Sequence, residues 1–269
     1  MQMSRNKGIE LGDNRSVVQI NNSKASSSLR ELLKLKWSPI GVKLVKNDND
    51  LDDVPEQVAQ RLRYCQLLME AKKGRSATLT RENIACPAAA AALGLSPLPE
   101  KIRRGEMLEA LGLFTSREAA AKTMARMPRI GQGKVKAVAA APLEEAKFSP
   151  DVVIIEDQPE KIMWLNLATI HKEGGRLSFN SAVFQACCVD VTVIPYLTKR
   201  VNVSLGCYGC RDATDIAEDE CLVGIPFEQL GEILESIEAL SKKAMPQARG
   251  KRTYSQFMKS EETLSEVRQ

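Results

Sequence analysis

Five of the seven cysteines in this 269-residue chain fall between Phe184 and Cys221. They are the adjacent Cys187 and Cys188, the pair Cys207 and Cys210 inside the glycine turn GCYGCR, and Cys221. Cys65 and Cys86 lie far upstream. Ordinary packing does not need so high a local density of thiols. An odd total leaves at least one thiol outside any disulfide. In a reducing cytosol, clustered cysteines point to metal binding or redox chemistry before structural cross-links. The first expectation is therefore a metal or iron–sulfur site.

Other function classes recede on composition. Lys and Arg number 38 against 34 Asp and Glu, and the net +4 is spread along the chain rather than gathered into the basic patch that nucleic-acid binding requires. No signal-peptide core opens the sequence, and nowhere do about twenty apolar residues run together, so no membrane segment is expected and the protein reads as soluble and cytoplasmic. At 43% hydrophobic the chain can bury a substantial core without disulfides.

Residues 1–28 are polar, with a composition that cannot offset the entropy of ordering, and are expected to form a disordered tail. Residues 29–243 read as a single domain, and 244–269 as a polar, basic C-terminal tail. Within the domain, Leu29 to Leu35 suggest a short amphipathic helix and Ile40 to Val45 a strand. Pro55 can open a helix on which Val58, Leu62, Cys65 and Met69 share one face, ending at Gly74. Pro87 and five alanines predict a short helix closed by Gly94, with Cys86 at its N-cap, where free backbone N–H groups favour a thiolate.

Two further helices follow, over PEKIRRGEMLEALGLF and TSREAAAKTMARMP, the second opened by a Thr115–Glu118 capping box. Val135–Pro142, Val152–Glu156, Val201–Leu205 and the run CLVGIP read as strands, and Pro159 and Pro226 precede helices. The interleaving predicts an α/β or α+β fold with a mixed sheet core and a helical subregion from about Pro55 to Met127.

Four thiolates around a tetrahedral ion or an iron–sulfur cluster suit soft sulfur ligands. Gly206 and Gly209 allow the tight GCYGC turn that aims N–H groups at sulfur. A single CxxC matches no standard zinc-ribbon or ferredoxin spacing, and a thioredoxin-like use of Cys207 and Cys210 lacks an obvious long helix after the first cysteine. His171, the sole histidine, reads as a helix-end residue. GQGK (Gly131–Lys134) reads as a turn rather than a phosphate loop, and Glu173–Ser181 as a helix stop.

The segments RYCQLLMEAKKG, NIACPAAAAALGL, CCVDVTVIPYL, VNVSLGCYGCR and DECLVGIPFEQLGEIL, in that order, resemble domain of unknown function 169, an uncharacterised archaeal and bacterial family. The likeness runs roughly from Leu29 to Lys243. The resemblance implies single cysteines at Cys65, Cys86, Cys188 and Cys207, followed by the glycine turn and Arg211, and so a ligand quartet. Cys187, Cys210 and Cys221 then stand as additional candidates, only one of the adjacent pair being expected to face the site. The expected cofactor is a 4Fe–4S cluster, with zinc or another thiophilic ion as the alternative, and a cysteine-rich protein without metal as the third reading. An electron-transfer role would call for a redox partner protein. The family name carries no reaction.

Overall fold

The computed structural model describes residues 21–182 and 184–249. Among the described residues six strands form one sheet: β1 (Ile40–Val45), β2 (Ala77–Thr80), β3 (Ala137–Pro142), β4 (Val152–Asp157), β5 (Asn202–Ser204) and β6 (Cys221–Pro226). Their order is β2-β3-β1-β4-β6-β5, and within this mixed α/β class every pairing of neighbours is antiparallel. The helices are α1 (Asn22–Leu33), α2 (Tyr64–Lys72), α3 (Pro87–Ala92), α4 (Glu100–Arg103), α5 (Glu106–Ala110), α6 (Arg117–Arg126), α7 (Pro159–Ile170), α8 (Ile194–Thr198), α9 (Tyr208–Ala213), α10 (Leu230–Lys242) and α11 (Ala244–Arg249). None of them is long and apolar enough to cross a membrane.

Alternation along the strands sorts side chains onto two faces. Val153 and Ile155 of β4 and Val223 and Ile225 of β6 meet Leu29 and Leu33 of α1, Ile162 and Leu165 of α7 and Ile233 and Ile237 of α10. Val42, Leu44, Val138, Ile154 and Leu222 face the other way, toward α2–α6 and six of the cysteines. The sheet is thus a wall between a layer of long helices and a layer of short ones.

Several boundaries differ from those predicted. Residues 22–28, expected in the polar tail, are the first turns of α1: Asn21 caps it by accepting from the Lys24 N–H, and Ala25 and Ser26 are buried. Residues 1–20 lie outside the described residues. At the other end, residues 244–249 continue as α11 with Met245 buried, while residues 250–269 lie outside the described residues.

The helix expected from Pro55 begins only at Tyr64. Before it the backbone is extended, because the Val58 N–H donates to Thr78, the Leu62 N–H to Asn83, and the Asn83 amide to the Val58 carbonyl. The helix expected over residues 99–114 is split by Gly105, whose φ of 77° lets the chain turn where a β-carbon would collide with the backbone of Arg117. α6 is capped by Ser116, which accepts from the Ala119 N–H at 3.2 Å, one residue beyond the Thr115 predicted.

Candidate functional site

Apart from Cys221, each cysteine segment reaches the short-helix side of the sheet at a helical turn. Cys65 is the second residue of α2, Cys86 is the N-cap of α3 with Pro87 following, and Cys207 is the N-cap of α9 with Cys210 in its first turn. Cys188 immediately precedes a π-helix, Val189–Val193. Cys65, Cys86, Cys187, Cys188, Cys207 and Cys210 all line one cavity of about 420 Å³. That volume lies within the usual range for small-molecule and cofactor sites, about 300–1,000 Å³. Ile102, Met107, Leu111 and Phe184 supply an apolar wall.

The π-helix has an identifiable cause. Pro195 has no N–H to give the carbonyl of Val191, four residues back, and its ring crowds that oxygen. The turn widens, and the N–H groups of Val191 and Val193 donate five residues back, to Ala186 and Cys188. The Val191 carbonyl instead lies over Gly224 of β6, where any β-carbon would collide with it. Because residues 186–188 are already turning into this helix, Cys187 and Cys188 both border the cavity, correcting the expectation that only one would.

Hydrogen bonds fasten the segments together. The Tyr64 hydroxyl lies 2.8 Å from Thr192 Oγ1, which bonds to the Cys187 carbonyl at 3.0 Å. Arg63 bonds to the Gly209 carbonyl and to Asp212 Oδ2, each at 3.2 Å, joining α2 to α9. In the CxxC turn the Cys207 N–H donates to Cys210 Sγ at 2.9 Å. Gly206, at φ 81°, makes room beside that sulfur, since a β-carbon would stand 3.3 Å from it. Arg211 bonds to the Leu205 and Ala217 carbonyls and holds the loop from outside the cavity.

Burial pushes the Cys65 thiol up to about 12, with Cys210, Cys207 and Cys86 adding to the rise, and pushes Cys188 well above the ordinary thiol value. Cys207 is raised by a hydrogen bond with Cys210 and then by burial. A hydrogen bond with Cys187 raises Cys210 to about 11 against an opposing bond with Cys207. For Cys187, a hydrogen bond from Cys210 works downward, but burial and the neighbouring thiols carry it to about 11. Such thiols are poor attacking nucleophiles, which disfavours the thioredoxin-like reading. They would ionise together only around a positive charge.

All seven cysteines are free thiols. Among the described residues no group of three or more His, Cys, Asp or Glu side chains is set to hold a metal ion as the side chains stand. The six thiols border a volume instead of meeting at a point. Cys221 stands apart from them: β6 alternation sends it to the long-helix face, where its sulfur lies 3.7 Å from the Asp157 carbonyl. It is removed from the candidate set. His171 ends α7 in solvent, and Gly131–Lys134 form a turn.

Sequence reasoning missed Gln185. Its backbone adopts φ 59°, its carbonyl accepts from the Cys188 thiol at 3.2 Å, and the residue lines the cavity. The residue is only 8% exposed, yet neither amide atom has a hydrogen-bond partner. No glycine or Asn marks this left-handed position, so no local signal could have found it.

The model of the uncharacterised ArCR family, domain of unknown function 169, matches residues 28–236. The uncharacterized protein MJ0308 of Methanocaldococcus jannaschii is 31% identical over 216 residues, which cover 79% of this chain and 92% of that one. No solved structure matches the chain.

Proposed function

The chain belongs to the ArCR family, and from that premise we propose that it is an iron–sulfur protein with a redox or electron-transfer role, holding one 4Fe–4S cluster on Cys65, Cys86, Cys188 and Cys207. The observation that carries this reading is the gathering of six free thiols, from four separated segments, around one cavity of about 420 Å³. A structural zinc ion is closed in by four ligands about 2.0–2.3 Å away and leaves no such volume, whereas the cavity has room for a multi-atom cluster.

The donor chemistry fits the group. Soft thiolates are the ligands such clusters take, and Cys65, Cys86 and Cys207 stand at helix starts, where the first N–H groups lack intrahelical partners. When bound, the cluster would supply a one-electron redox centre. The chain's own residues do the rest. Arg63 and Tyr64 hold α2 against α9 and the π-helix, the Cys207 N–H supports the sulfur of Cys210, and Ile102, Met107 and Leu111 lower the local dielectric that tunes the centre's potential. Cys187 and Cys210 stand beside the quartet as neighbouring thiols.

Iron and acid-labile sulfide measured on anaerobically purified protein test the reading. Brown protein with four irons and four sulfides per chain is expected. Colourless protein with one zinc per chain would instead assign a thiolate metal-binding module, and protein free of metal would overturn the proposal.

A further inference from the structure

Among the groups bordering the cavity, Gln185 alone combines deep burial, a left-handed backbone and an amide with no partner at either atom. Each condition is unfavourable. A non-glycine residue in the left-handed region costs about 1–2 kcal/mol, and a buried polar group left without a partner costs about 1–3 kcal/mol. The surroundings hold the residue there firmly. Its carbonyl accepts from the Cys188 thiol, from the Cys188 N–H at 3.2 Å and from the Val189 N–H at 2.8 Å. The backbone that starts the π-helix therefore sets Gln185 in the cavity wall, next in line to the vicinal cysteines.

We infer that Gln185 is a positioning residue for the sulfur centre, its Nε2–H donating to a cluster or cysteinyl sulfur. This inference rests on the iron–sulfur reading and deepens it. The geometry gives the amide one task the thiols cannot perform. Protonated thiols are weak donors and ionised ones are acceptors only, so a centre rich in sulfur lone pairs needs N–H donors. The Cys207 N–H is already given to Cys210 Sγ, Arg63 turns its Nη1 to Gly209 and Asp212, and Arg211 lies outside the cavity, bonded to Leu205 and Ala217. The Gln185 amide is uncommitted. Hydrogen bonds to sulfur stabilise the more negative, reduced state and so raise the reduction potential. Its acceptor oxygen, which sulfur cannot satisfy, is left for a water molecule or an O–H or N–H donor entering the same cavity.

The test uses Gln185→Leu, which keeps the bulk and removes the amide, and Gln185→Asn, which tolerates the left-handed backbone and withdraws the amide by one methylene. Iron and sulfide content and midpoint potential are measured for the wild type and both variants, together with thermal unfolding of the metal-free forms. The expected result is wild-type iron and sulfide, a potential shifted to a more negative value in both variants, and metal-free Gln185→Leu unfolding above metal-free wild type. A loaded wild type with unchanged potential in the variants would overturn the role of Gln185 and leave the cluster standing. Wild type without iron would overturn the cluster reading and this inference with it. Should Gln185→Leu fail to fold, Gln185→Asn alone decides by the same shift.

Discussion

Cys221 and Leu222 are neighbours in β6, yet they point into layers built on different terms. On the side of Cys221, α1, α7 and α10 run 12, 12 and 13 residues and present continuous apolar stripes to the sheet. Long helices fill space, and a cysteine there behaves as a small hydrophobe. On the side of Leu222, α2 has nine residues, α3 and α9 six each, and the π-helix five. Short helices turn often and pack unevenly, and their starts leave both a cavity and free N–H groups. The same residue type is thus filler on one face and a candidate ligand on the other, and layer architecture decides which.

The sharpest way to break this contrast is by cysteine replacement. Single Ser replacements at Cys65, Cys86, Cys188 and Cys207 are expected to lose most of the bound iron, while Cys221→Ser retains it in full; full retention in Cys86→Ser would sink the quartet. Replacements at Cys187 and Cys210 should fall between, because these thiols border the cavity without belonging to the proposed set.

Stability should differ between the layers in a way denaturant unfolding can read. Ile237, fully buried among α1, α7 and the sheet, should cost about 2–5 kcal/mol on replacement by Ala. Ile102→Ala, beside an existing cavity, should lie at or below the bottom of that range, since part of its surface already lacks contacts. Equal losses would remove the distinction between a filled and an unfilled layer.

Gly224→Ala tests the seam between sheet and site. Its methyl group would push on the Val191 carbonyl, so a loss of about 1–3 kcal/mol is expected, with weakened iron retention because Cys188 moves with the π-helix. A variant with normal stability and iron would show that the seam does not position the thiols.

The smallest effect lies at the far end of α2. Burial works upward on Asp215, but hydrogen bonds from Lys73 and Lys72 outweigh it and hold the carboxyl at about 2, below its ordinary 3.8. A lowered folded-state value stabilises the fold above the unfolded value and loses that contribution as pH falls from about 3.8 through about 2. Because Asp215 is 41% exposed, solvent screening limits the effect to less than about 1 kcal/mol. Acid titration of wild type against Asp215→Asn should show a difference confined to that window.

Much of the site was legible because it rests on local rules. Pro87 announced the α3 cap, and CLVGIP read as a strand, whose alternation in the structure sets Cys221 opposite Leu222. What was not legible depends on contacts between distant segments. The apolar spacing from Val58 to Met69 fits a helix, but β2 and Asn83 offer residues 57–62 extended-chain partners that win. The π-helix needs Pro195 and Gly224 face to face, and neither residue signals it alone. Gln185 is held in the left-handed region by the turn it starts, a constraint invisible in its own identity.

The Arg63–Gly209 hydrogen bond spans 146 residues of chain. During synthesis at about 5–20 residues per second, Cys65 and Cys86 emerge on the order of ten seconds before Cys207 and Cys210. Throughout that interval the early pair has no partners, and nascent α2 and α3 lack the sheet against which they pack. The cavity therefore closes only when the ribosome has nearly finished the domain. Any group it holds enters after translation of all four segments, and the upstream thiols need a reducing environment until then.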